Sequence, residues 1–171
     1  HGLRAFSPFF QNGKVFFLRR NVFPESLCSI DPTSGKIESV SEFPSSFRPI
    51  QATIDPTGKT MVISGWKNGF LDLAFLTEDE GLHFITSDGY ADLSPSFSPD
   101  GKILFFSSDR NGVYNVYAYY LDTGEYYQVT NVVNGLFEPI YNGHKFYGIA
   151  YHRSGFDVSE FLSDIHSWKK I

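Results

Sequence analysis

Few side chains in this sequence are capable of chemistry, and they are scattered. Five histidines stand at His1, His83, His144, His152 and His166. None falls in the His-x-x-x-His or His-Glu-x-x-His spacing that turns two imidazoles toward one metal. His144 and His152 flank one apolar run, and His144 holds a turn position that Lys fills elsewhere. No Gly-x-Ser-x-Gly elbow presents a nucleophilic serine. Cys28, the only cysteine, lies in the apolar stretch Ser26-Leu27-Cys28-Ser29-Ile30, where a thiol packs as a small hydrophobe with no basic neighbour to ionise it. A lone cysteine excludes an intrachain disulfide and a multi-cysteine metal site, and does not place the chain inside or outside a cell. The acidic run Glu78-Asp79-Glu80 lacks the alternating oxygen ligands of a calcium loop and reads as a solvated turn. The expected catalytic, cofactor and metal sets are therefore empty, which argues against an enzyme without deciding it.

Other polar residues suit structural work. Asp109 precedes a turn whose amides it can accept from, and Arg110 can fork onto a neighbouring carboxylate. Asp72, Asn115 and Asp157 follow turn glycines at offsets of three, three and two, where they would brace a hairpin. Tyrosines are dense from Tyr114 to Tyr127. Tyr114, Tyr119 and Tyr126, with Trp66 at its own turn, are the candidates for an exposed contact patch. Formal net charge is −5 and no Lys/Arg run exceeds two residues, which argues against a nucleic-acid partner. No apolar stretch approaches the roughly 18 residues of a membrane-spanning helix. The chain begins His1-Gly2-Leu3-Arg4, without Met or a signal-peptide pattern, and is expected to be a processed or excised piece of something longer.

The elements that must carry these residues repeat. Gly13-Lys14, Gly58-Lys59, Gly101-Lys102 and Gly143-His144 recur at intervals of 45, 43 and 42 residues. Gly69, Gly112 and Gly155 keep a spacing of 43, and Gly35, Gly81 and Gly124 keep spacings of 46 and 43. The third unit is the clearest. A short strand, Pro95 to Ser98, enters the turn Pro99-Asp100-Gly101-Lys102, where Pro pre-sets φ and Gly accepts a positive φ. The run Ile103 to Ser107 leads into Asp109-Arg110-Asn111-Gly112, then come Val113 to Leu121, the turn at Gly124, and Tyr126 to Thr130. Four strands on short turns make one antiparallel meander, and a period near 43 is that of a propeller blade. Phe105 and Phe106 are adjacent and so point to opposite faces, both of which meet a neighbouring blade.

The fold expected is all-β: four consecutive four-stranded antiparallel β-propeller blades at about 5–41, 48–87, 93–131 and 136–171, a single propeller-type domain that forms part of a larger propeller. Two readings stand for the end of the fourth unit. Trp168 to Ile171 would supply its outer strand, or Val158, Phe161, Leu162, Ile165 and Trp168 would line a helix capped by Asp157 and Glu160.

The third unit, with Pro95 to Lys102, Phe106 to Gly112, Val116-Tyr117 and Leu121 to Gly124, resembles the blade repeat of TolB-like propellers, also described as WD40-like propellers of the Pro-Asp type. Units two and four match it moderately and unit one less, lacking the Pro and the Asp-Arg pair. The resemblance implies an extracytoplasmic or periplasmic scaffold that binds protein: a partner, further blades or domains of a parent chain, or a second copy. It also admits an accessory, substrate-gating propeller of a larger hydrolase or peptidase. Binding of a small ligand in the central channel, through inner-strand residues such as Gln11, Arg48, Gln51 and Glu138, is a third reading. The family motif is structural, and it maps Gly13, Gly58, Gly101, Gly143 and Asp100 to turns.

Overall fold

The structure, a computed structural model, describes residues 4–20, 24–77, 81–162 and 164–171. His1, the acidic run Glu78-Asp79-Glu80, and all but Pro24 of the long turn expected from Asn21 to Pro24 lie outside the described residues. The fold is all-β, with four antiparallel sheets in chain order. The first blade comprises β1 (Ala5–Gln11), β2 (Lys14–Arg19), β3 (Ser26–Ile30) and β4 (Ile37–Glu42). The second comprises β5 (Phe47–Ile54), β6 (Met61–Lys67), β7 (Phe70–Thr77) and β8 (Gly81–Phe84). The third contains β9 (Asp92–Phe97), β10 (Ile103–Ser108), β11 (Asn115–Tyr120) and β12 (Tyr126–Gln128), and the fourth contains β13 (Leu136–Tyr141), β14 (Phe146–His152) and β15 (Gly155–Phe161).

The end of the chain departs from both readings. Asp157 to Phe161 complete β15, which pairs with β14 from Gly155 to Phe161 and so takes up the residues a helix would need. A single 3-10 turn follows at Ile165–Ser167, capped by Asp164, whose Oδ1 accepts from the His166 amide at 3.0 Å. The last strand, β16 (Lys169–Lys170), then pairs with β12 of the third blade, Lys170 against Tyr127 and Lys169 against Gln128. Among the described residues the third sheet thus has five strands and the fourth has three, in place of four each. Trp168 supplies a physical reason. Its ring sits 5.8 Å from Phe105, 6.3 Å from Phe146 and 6.5 Å from Tyr120, in an aromatic socket where the third and fourth blades meet.

Each seam between blades carries its own core. Leu18, Leu27, Phe47 and Ile63 fill the first, Val62, Leu73, Leu104, Phe106 and Tyr117 the second, and Phe105, Val116, Ala118, Leu136 and Phe146 the third. Phe105 and Phe106 are both fully buried, one in the third seam and one in the second. Two-sided burial is what lets β10 be apolar at consecutive positions.

The inner strands β1, β5, β9 and β13 each break register once. In three of them the break falls at a positive-φ residue followed by Pro: Ser7, Ser94 and Glu138. Pro has no ladder donor, so a bulge is where an inner strand tolerates it. The bulges also join blades. Ser7 Oγ accepts from the Ala52 amide at 3.1 Å, Gln51 Oε1 accepts from the Ser94 amide at 2.8 Å, and the Ser96 hydroxyl donates to the Pro139 carbonyl. Successive sheets touch in this way, but among the described residues the fourth sheet makes no contact with the first, so the arc is open.

The turns after the inner strands pack on one another, which explains the glycine at Gly101. Its φ is +71°, and a Cβ there would stand 3.3 Å from Pro56 Cδ of the preceding turn. Gly13 has a similar φ, +78°, with nothing near. Gly101→Ala is therefore expected to cost about 1–2 kcal/mol from backbone conformation plus a packing penalty, and Gly13→Ala the backbone part alone. Urea unfolding of the two variants checks this, and equal losses would refute the packing contribution.

Candidate interaction surface

The strongest polar constellation is built on Arg110, at the turn between β10 and β11. Ser108 and Asp92 are neighbours across β10 and β9, so the turn drops the guanidinium directly onto them. Arg110 Nη2 donates to both oxygens of Asp92, at 2.9 and 3.1 Å, and Nε donates to Ser108 Oγ at 3.0 Å. Asp88 Oδ2 lies 3.3 Å from the same Nη2. The rings of Tyr117, Phe106, Tyr90 and Tyr126 surround the cation at 4.9 to 6.0 Å. Asp92 is fully buried. Burial pushes its carboxyl up from the usual carboxylate range, and the Arg110 charge opposes the rise. Asp109 does not brace its own turn with its side chain. Its Oδ1 accepts from the Ala91 amide at 2.9 Å, in the connection from the second blade, while its carbonyl accepts from Gly112. This arrangement ties the Arg110 turn and first strand of blade three to the connection that arrives from blade two.

The tyrosines expected on a contact patch lie elsewhere. Tyr119 and Tyr126 are half-buried at the second seam, 4.8 Å from one another, and Tyr119 lies 6.3 Å from Phe75. The Tyr126 hydroxyl donates to the Ile85 carbonyl at 2.6 Å, and burial, with Tyr119 beside it, pushes the phenol up to about 12. Tyr114 packs on Phe137 of the fourth blade, with ring centroids 4.8 Å apart and the rings tilted by 45°. Trp66 alone of the four is well exposed. Asp100 accepts from the Ser98 hydroxyl and the Lys102 amide, and Gly58, Gly101, Gly13 and Gly143 sit at positive φ in their turns. His83, His144, His152 and His166 fall on separate elements, and Cys28 is buried beside Ser26. Among the described residues no three of His, Cys, Asp and Glu are grouped to hold a metal ion, and no helix is long and apolar enough to cross a membrane.

Two surfaces are not evident from the sequence. On the channel side, Ile50, Leu93, Phe137, Ile149 and Phe156 line a trough of about 510 Å³ in which Glu138 is the one charged group. Gln51 and Ser94 also line it but are bonded to one another, and Gln11 donates to the Pro56 carbonyl instead. The second surface is the face of blade four turned away from blade three. Ile140, Tyr151, Phe156 and Val158 are exposed there, Val158 by 76%. Their alternation along β14 and β15 was the available signal.

No family model and no curated protein matches the sequence. Solved structures match it over nearly its whole length. TolB from Acinetobacter baumannii is 19% identical with a TM-score of 0.80, over 98% of this chain and 43% of that one. A putative TolB from Agrobacterium tumefaciens is 20% identical with a TM-score of 0.71, over 92% and 60%. Porphyromonas gingivalis dipeptidyl peptidase 4 is 14% identical with a TM-score of 0.63, over 88% and 23%. The chain thus spans less than two thirds of each of these structures. At such identities the likeness is one of fold, and the chain has the fold of four consecutive blades of a TolB-like β-propeller.

Proposed function

We propose that the chain is a non-catalytic, protein-binding scaffold, an extracytoplasmic run of blades within a larger propeller. The observation that carries this reading is the apolar outer face of blade four. Its row Phe137–Ile149–Val158 occupies the place of Leu93–Ser107–Val116 in blade three. Val116 is fully buried against the next blade, whereas Val158 is largely exposed. A sheet face of this composition calls for another blade, since exposed contiguous apolar surface marks a docking site. Accessory service beside a peptidase domain is the second reading, favoured by the peptidase structure in which this fold fills 23% of the chain. Sedimentation of the 171-residue chain tests the face. Concentration-dependent association, abolished by Val158→Asp, is expected. A monomer at all concentrations, indifferent to that substitution, would remove the support for a blade-binding face.

A further inference from the structure

The repeat exposes one position where two blades solve the same problem differently. Asp72 in β7 lies opposite Gly65, and Asn115 in β11 lies opposite Ser108, at the same point of the hairpin. The residue after each anchors the connection to the next blade with the same bonds. Leu73 N donates to Thr86 Oγ1 at 2.9 Å and its carbonyl accepts from Ile85 and Thr86 at 2.8 and 3.3 Å. Val116 N donates to Thr130 Oγ1 at 2.9 Å and its carbonyl accepts from Val129 and Thr130 at 2.9 and 3.3 Å.

The side chains then diverge. Asn115 Oδ1 accepts from the Thr130 hydroxyl at 3.0 Å and the Val132 amide at 2.7 Å, while its Nδ2 donates to the Val113 carbonyl at 3.2 Å. Asp72 is 3% exposed, and its Oδ1 is buried with no hydrogen-bond partner. The equivalent hydroxyl, that of Thr86, is directed to Asp92 instead. The charged groups acting on Asp72 are Asp92 at the start of β9, Asp88 in the connection and Lys67 from β6. Arg110 lies beyond them and is already bound to Asp88 and Asp92. From the first blade, Arg20 donates to the Pro49 carbonyl, in the strand row of Gly65 and Asp72, and Glu25 lies 3.9 Å from that guanidinium.

We propose that Asp72, acting with Asp88 and Asp92, makes the junction of blades two and three a proton-responsive joint, in which ionised Asp72 loosens the 85–92 connection and protonated Asp72 closes it. A buried carboxylate oxygen without a hydrogen-bond partner favours the neutral form, and the proton also supplies the donor that the site lacks. Burial first, and Asp92 second, push the Asp72 carboxyl up to about 6. A folded value above the unfolded one means that the folded joint binds the proton more tightly. The closed state is therefore fully favoured below about pH 4, the ordinary carboxylate value, and loses that advantage as pH rises from there through about 6.

Amide hydrogen exchange at Ile85 and Thr86, corrected for intrinsic rates, reads the joint. In the wild-type chain, protection is expected to fall by roughly tenfold between pH 5 and pH 7.5, the upper part of a loss of about tenfold for each pH unit between the open and closed titration midpoints. In Asp72→Asn it is expected to stay constant, while Val129 and Thr130 in blade three show no such change in either protein. Equal pH dependence in the wild type and Asp72→Asn would overturn the proposal. Should Asp72→Asn fail to fold, the half-exposed Asp88→Asn substitutes for it. Removing that neighbouring charge is expected to move the midpoint of the wild-type transition to lower pH, and an unchanged midpoint would also overturn the proposal.

Discussion

Replacing Arg110 with Ala is expected to lower the unfolding free energy by about 3–5 kcal/mol at pH 7, among the largest losses available to a single substitution in this chain. The loss comes less from the attraction forgone than from what stays behind. Asp92 is fully buried, and among the described residues only Arg110 balances its charge at hydrogen-bonding distance. Without that cation the carboxyl must ionise in an apolar seam or take up a proton. Its folded value then rises further above the unfolded one, so the folded variant binds a proton that the unfolded chain releases. The deficit should accordingly shrink as pH is lowered from 7 toward about 4, the ordinary carboxylate value. Urea unfolding at pH 7 and pH 5 measures both features. The same substitution in an Asp92→Asn background should cost much less, because no charge is stranded. A loss that is equal in both backgrounds and at both pH values would mean that Arg110 acts by packing on Tyr117 and Phe106 rather than as a counter-ion.

Phe105→Ala is expected to cost about 3–5 kcal/mol, through the transfer of a buried ring and the cavity it leaves. The ring meets Phe146 at 4.8 Å, Tyr141 at 5.5 Å and Trp168 at 5.8 Å, so its loss opens the third seam and the socket of the terminal segment together. In a Trp66→Phe background, which leaves Trp168 as the sole tryptophan, Phe105→Ala should shift the emission to the red in the folded state. Phe106→Ala should destabilise comparably without that shift, because Phe106 lies in the second seam beside Tyr117 and Tyr126. Identical emission from the two variants would contradict the placement of Trp168.

The two phenylalanines also show what kind of information a repeat carries. Adjacent apolar residues on a strand say that both faces are covered, and the glycine spacing says by what: another copy of the same unit. Turn chemistry was similarly legible. Asp100-Gly101-Lys102 specifies its hydrogen bonds within five residues, since Asp100 needs only the Ser98 hydroxyl and the Lys102 amide. Surface roles were harder to read. Tyr119 and Tyr126 looked like contact residues because an aromatic with a hydroxyl suits an interface. They do serve one, but it is the seam between two blades of the same chain. The partner of Arg110 lies 18 positions away, and nothing local distinguishes Asp92 from any other carboxylate.

Alone, then, the sequence determined the all-β class, the number of blades and the turn residues, because a 43-residue period and local turn stereochemistry need no distant contact. Tertiary structure decided where the last residues go. Helical spacing and strand propensity competed over 157–171, and neither could foresee that Phe105, Phe146 and Tyr120 form a socket for Trp168 at the edge of the third sheet. It also decided which polar residues matter. A carboxylate is ordinary until burial removes its water, and only the folded sheets show that Asp92 has a cation and Asp72 Oδ1 has no partner.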